Sequence, residues 1–160
     1  MMTRRALIGT GAVVVGAGGL LVAAEATGRL DDVADAVGID PKPQPDPDDT
    51  RVLRRAARAT AELQAAVAAT SAGHPGLDLA AVTAAVGEQL AALGGAEAPA
   101  GAAPPADQGA AVDALAQALD IACKDRARDA VTAGSPALVR VLAAMSAGHA
   151  QSARVVRSLR

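Results

Sequence analysis

Met145 and His149 stand four residues apart near the end of a 160-residue chain. That spacing places both on one face of a helix. A thioether and an imidazole arranged so could ligate copper or haem. More often a methionine on such a stripe fills a core, and a lone buried histidine finds a hydroxyl or carbonyl partner. His149 nevertheless falls where the pattern asks for an apolar residue. Carboxylate-bridged di-iron chemistry wants inward glutamates and a Glu-x-x-His pair on each of two helices. Beyond residue 26 the glutamates are Glu62, Glu88 and Glu97, and three residues after the first two come Ala65 and Ala91. The required pair is missing, and Glu62 and Glu88 are left only as supplementary metal candidates beside His149 and Met145.

Other chemistry fares no better. Cys123 has no histidine near it in sequence and reads as a small hydrophobe beside an apolar stripe. His74 precedes Pro75 and reads as a surface turn residue. Gly9-Thr10-Gly11 follows no strand, so it is no dinucleotide loop. Zinc spacings, phosphate loops and hydrolase elbows are absent from the sequence. The expectation is a non-enzymatic protein with no catalytic residues, no cofactor and no resident metal.

The elements that would position these residues are helical. A first helix is expected from Asp48–Thr50 to Ala72, stopping at Gly73. Its inward stripe is Leu53, Ala56, Thr60, Leu63, Val67 and Thr70, alternating steps of 3 and 4. His74-Pro75-Gly76 should reverse the chain. A second helix, capped by Asp78, carries Leu79, Val82, Val86, Leu90 and Leu93 and stops at Gly94-Gly95. Residues 96–106 hold three prolines and read as a loop crossing one end of the helices. Asp107 should cap a third helix with Val112, Leu115, Leu119 and Ala122 inward, ending near Ala133-Gly134. Ser135-Pro136 should start a fourth with Leu138, Leu142, Met145, His149, Ser152, Val156 and Leu159 inward. Two tight hairpins and a longer middle connection predict an all-α, antiparallel four-helix bundle over residues 51–160.

Composition agrees. There are 44 alanines and no Phe, Trp or Tyr. Alanine is the strongest helix former, and a chain without aromatics is a poor candidate for a β-sandwich or barrel. The same lack removes stacking platforms for single-stranded nucleic acid and aromatic cages for quaternary ammonium. The net charge of -2 gives no global basic footprint, so no nucleic-acid partner is expected. Arginines do cluster at Arg51, Arg54, Arg55 and Arg58, and again at Arg154, Arg157 and Arg160. Most simply, both clusters are solvated helix faces.

Residues 1–26 have the parts of an export signal: a basic start, an uncharged stretch from Ala6 to Ala24 and a small-residue exit. Thr3-Arg4-Arg5-Ala6-Leu7-Ile8 resembles the bacterial twin-arginine motif, with Arg4 and Arg5 as its signal residues. Ala24-Glu25-Ala26 offers a cleavage site at Ala24 and Ala26. Cleavage is the favoured outcome. The alternative is a signal anchor in which residues 6–24 stay in the membrane. Residues 27–50 form an acidic, Pro-rich linker, where alternating prolines from Pro41 to Pro47 make a semi-rigid spacer. A short helix carrying Leu30, Val33, Ala34 and Val37 is possible within it.

The layout resembles small exported actinobacterial proteins with a ferritin-like helical bundle. The resemblance rests on Arg4-Arg5, Gly28-Arg29-Leu30-Asp31-Asp32, Pro45-Asp46-Pro47-Asp48, His74-Pro75-Gly76-Leu77 and Leu90-Ala91-Ala92-Leu93. It implies fold and export. Histidines found along the second helix of such relatives are replaced here by Val86, Gly87, Glu88 and Gln89. The resulting expectation is an exported protein in the cell envelope or outside it. It would act through contacts with another helical protein or with itself, at the outer face of the cytoplasmic membrane. Metal or small-ligand binding through His149 and Met145 is the alternative.

Overall fold

Helix-forming sequence dominates the outcome. The computed structural model describes residues 46–160, which hold four helices and no strand. They are α1 (Pro47–Gly73), α2 (Ala80–Ala92), α3 (Gln108–Thr132) and α4 (Pro136–Arg157). Arg4, Arg5, Ala24, Ala26, the apolar segment 6–24 and the short helix around Leu30–Val37 lie outside the described residues. No helix among the described residues is long and apolar enough to cross a membrane.

The helix ends show why these segments start and stop where they do. α1 begins just ahead of Asp48–Thr50, at Pro47, because Asp46 supplies the cap: its Oδ1 accepts from Asp48 N at 2.7 Å. Residues 47–50 are thus helix rather than spacer. At the other end Gly73 stays helical and the His74 N–H closes on Thr70 O. α2 starts later than expected: Leu79 is its N-cap and brings no capping side chain, while Asp78, one residue further out, accepts from Ala80 N through Oδ1 at 3.2 Å. Gly94 and Gly95, at φ of 87° and 77°, end it in the left-handed region that only glycine enters freely. Asp107 caps α3 through Ala110 N, and Ser135 caps α4 through Leu138 N with Pro136 in its first turn.

α1 packs against α2 and α3, and α4 packs against the same two helices. All the stripe positions expected on α1 are buried, as are those on α4 from Leu138 to Val156. Two apolar clusters result. One gathers Leu63, Val67, Val82, Val86, Leu115, Leu119, Ala153 and Val156 among others, and the second gathers Val52, Leu53, Ala56, Leu93, Leu138, Leu142 and Met145. Alanine at 56, 57, 111, 116 and 153 replaces bulk in this core, so helices must approach closely to keep dispersion contact.

Residues 96–106 depart from expectation. They run beside α1 instead of crossing an end. A Cβ at Gly101 would meet Ala65 O at 2.6 Å, and one at Gly73 would meet Pro104 Cγ at 2.7 Å. His74 Nε2 lies 2.8 Å from Pro105 O, so this turn histidine pins the segment to the end of α1 and is only half exposed. Glycine at 101 lets the backbone of the segment touch the backbone of α1.

Candidate functional site

On each helix at least one buried polar residue falls between the two apolar clusters. On α1 Thr60 separates Ala57 from Leu63, and on α2 Gln89 separates Val86 from Leu93. On α3 Arg126 follows Leu119, and on α4 His149 separates Met145 from Ala153. All four are buried, and His149 is 0% exposed. The candidate site is this polar layer across the middle of the molecule.

Its satisfaction is uneven. Thr60 Oγ1 donates to Ala56 O at 2.8 Å, folding the hydroxyl back on its own helix. Arg126 Nη1 donates to the same carbonyl at 3.2 Å, and its Nη2 lies 2.6 Å from Asp129 Oδ2. Arg55 of α1 reaches the other oxygen of Asp129, with Nε 3.2 Å from Oδ1. One buried carboxylate therefore holds two arginines and ties α1 to α3. Arg55, Ala59, Asp125, Arg126, Arg128, Asp129 and Thr132 line an open cleft of about 390 Å³ above this network.

His149 has no such support. Neither ring nitrogen has a hydrogen-bond partner, and neither does Gln89 Oε1. The ordinary expectation of a hydroxyl or carbonyl partner for the histidine is not met. Gln89 reaches α4 beside it: a Cβ at Gly148 would lie 2.6 Å from Gln89 Nε2, so this glycine makes room for the amide. Burial, with the Arg126 charge adding to it, pushes the imidazole down from 6.5 to about 4. His149 is therefore neutral at pH 7.

The other sequence candidates do not converge here. Met145 is buried one turn before His149, within the second apolar cluster. Glu62 is exposed and pairs with Arg58, Nε to Oε1 at 3.2 Å, and Glu88 is likewise exposed on α2, outside the buried layer. Among the described residues no group of three or more His, Cys, Asp or Glu could hold a metal ion. Cys123 is half-buried, its Sγ 3.4 Å from Ser146 Oγ, and Ser146 Oγ donates to Cys123 O at 2.9 Å.

The arginine clusters are largely committed. Arg51 pairs with Asp48, Arg157 with Asp120 and Arg160 with Asp113. The buried Arg126, Asp129 and Gln89 were not anticipated, although a signal existed. Continuing the α3 stripe from Ala122 by 4 and then 3 lands on Arg126 and Asp129, and Val86 plus 3 lands on Gln89. No protein-family model, curated protein or solved structure matches the chain.

Proposed function

We propose that this chain is an exported, antiparallel four-helix bundle of the ferritin-like kind that acts through protein contacts at the outer face of the cytoplasmic membrane. Export rests on Arg4-Arg5, the uncharged stretch and Ala24-Glu25-Ala26. The bundle arrangement is supported by the register of cross-helix pairs. Asp113, Asp120 and Cys123 of α3 meet, in reversed order, Arg160 just past the end of α4 and Arg157 and Ser146 within it. The α3 carboxylate Asp129 likewise meets Arg55 near the start of α1.

The observation that carries the contact reading is the outer face of α3. Gln117, Ile121, Lys124, Arg128 and Val131 follow steps of 4 and 3 and are all exposed, with Ile121 at 52% and Val131 at 86%. Two aliphatic side chains interleaved with an amide and two cations on one outward seam suit a further amphipathic helix, from another protein or a second copy. Cross-linking of the native protein, compared with an Ile121→Asp/Val131→Asp variant, tests this. Loss of cross-linked partner with unchanged helicity is expected. Partner retained by the variant, or none captured with the native chain, overturns the reading. Mass spectrometry of the native N-terminus decides release from anchoring, since a chain starting at Thr27 cannot be held by residues 6–24.

The three unpartnered buried atoms favour a second reading, a metal- or small-ligand-binding bundle using His149 and Met145. A neutral imidazole beside a thioether suits copper(I), and the Arg126 charge disfavours a divalent ion. Stoichiometric metal that disappears in His149→Ala would establish this reading, and a protein purified metal-free would remove its metal form.

A further inference from the structure

We propose that the cleft between α1 and α3 is a carboxylate-binding site, in which the surplus positive charge of Arg55, Arg126 and Arg128 receives one monoanionic group.

The charges lining the cleft do not balance. Three guanidiniums face two carboxylates, Asp125 and Asp129, which leaves one positive charge without a counter-ion. Arg128 has a partner of its own, Asp125, with Nη1 3.0 Å from Oδ1. The uncompensated charge therefore belongs to Arg55 and Arg126, which share Asp129. Two of those three side chains are buried, Arg126 at 3% and Asp129 at 6% exposed. A charge held partly out of water attracts an anion more strongly than one on an open surface.

The donors still open show where the anion would bind. Arg126 is fully engaged, with Nε and Nη2 on Asp129 Oδ2 and Nη1 on Ala56 O. Arg55 places Nε and Nη2 on Asp129 Oδ1, and its Nη1 has no acceptor among the described residues. Arg128, 77% exposed, engages only Nη1. Each helix thus brings one guanidinium with open N–H groups to the cleft, and a planar two-oxygen acceptor matches such groups. Ala59, one turn after Arg55 on α1, adds a methyl wall and no competing acceptor.

Charge and size narrow the ligand. A carboxylate brings one negative charge and cancels the surplus. A phosphate monoester brings about −1.5 to −2 and overshoots it, with Asp125 and Asp129 present to repel the excess. The opening of about 390 Å³ admits more than the carboxylate itself, so the group arrives on a larger molecule or on a peptide side chain. One source is this chain: Asp31, Asp32, Asp35 and Asp40 precede the described residues, which begin at Asp46. The chain enters beside the cleft, since a Cβ at Gly134, two residues past the lining Thr132, would lie 3.6 Å from Asp46 Oδ2. A free organic acid is the other source. The site is separate from the Ile121–Val131 seam and has only Arg128 in common with it.

Titration of the isotope-labelled full chain with sodium acetate at pH 7, with ionic strength held constant by chloride, tests this. The Nε–H resonances of Arg55, Arg126 and Arg128 should shift and saturate, with a dissociation constant of roughly 1–10 mM for so small a ligand. Acetamide, the neutral isostere, should shift none of them. Arg55→Met keeps the aliphatic stem and should weaken acetate binding about tenfold through loss of a charge-assisted hydrogen bond. Arg58→Met removes an equal charge outside the cleft and should change binding less than about twofold. Asp125→Asn enlarges the surplus and should tighten binding by about threefold. A chain carrying Asp31→Asn, Asp32→Asn, Asp35→Asn and Asp40→Asn identifies the source. Tighter acetate binding than wild type means that the chain's own aspartates compete for the cleft, and equal binding means that the carboxylate comes from outside. Shifts that fail to saturate in both of these chains, that spread equally over exposed arginines such as Arg54, or that survive Arg55→Met unchanged overturn the proposal.

Discussion

Asp129 is the residue on which the most electrostatic interactions converge. Two arginines share it, and one of them, Arg126, has a side chain only 3% exposed. Removing the carboxylate leaves a buried guanidinium with a single carbonyl acceptor, Ala56 O. Breaking one side of a buried ion pair typically costs about 3–5 kcal/mol. Asp129→Ala should therefore lower stability by about that much in urea unfolding at pH 7. Arg55→Ala should cost far less, since its side chain is 58% exposed and water screens the pair. A double-mutant comparison in which Arg126→Met rescues Asp129→Ala would separate the stranded charge from lost packing. Asp49 does similar work without a cation: its two oxygens accept from Gly134 N at 2.7 Å and Ser135 N at 2.8 Å. Asp49→Ala should destabilise by about 1–3 kcal/mol through those two stranded donors, and hydrogen exchange at Gly134 and Ser135 reports it.

The helices themselves were legible from spacing alone. Alternating 3 and 4 steps placed the buried faces of α1 and α4, and Asp107, Ser135 and Pro136 marked starts that the capping hydrogen bonds confirm. These signals are local, so a single sequence carries them. The contents of the polar layer are not local. Asp129 meets Arg55 across 74 residues and Arg126 meets Ala56 O across 70, and no helical periodicity says which polar group will find a partner. The stripe could place Arg126 inward; it could not say that Asp129 would neutralise it. His149 was legible as an intruder on an apolar face, but its lack of any partner depends on what α1, α2 and α3 present to it. The 96–106 segment was misplaced for a related reason. Its prolines and glycine announce a break in helix without saying which surface the chain follows. Gly101→Ala should detach it, because the added methyl would sit 2.6 Å from Ala65 O in backbone that has no room to yield. Faster proteolysis within residues 96–106, with helicity unchanged, is the expected result.

At the scale of the molecule, the absence of aromatic residues shapes both the core and the means of studying it. Small aliphatic side chains form two clusters instead of one, and a layer of polar groups lies at their boundary. Such a core buries little area per residue, and each unpartnered polar atom within it costs about 1–3 kcal/mol. His149→Leu should therefore raise the urea midpoint at pH 7, where the native imidazole is neutral but unsatisfied. With no Trp or Tyr to fluoresce, circular dichroism is the appropriate probe of that transition.

Asp49 also decides how the folded part would bear a pull. The chain enters α1 at Asp46, and three residues later the side chain of Asp49 grips the turn between α3 and α4. Tension arriving from residues 1–45 would thus not simply peel the first turn of α1 away. The load would pass at once, through two short bonds to Gly134 and Ser135, into the junction of the two most closely associated helices. Asp49→Ala should lower the force at which an N-terminally held chain begins to unravel, even under conditions where its equilibrium helicity is unchanged.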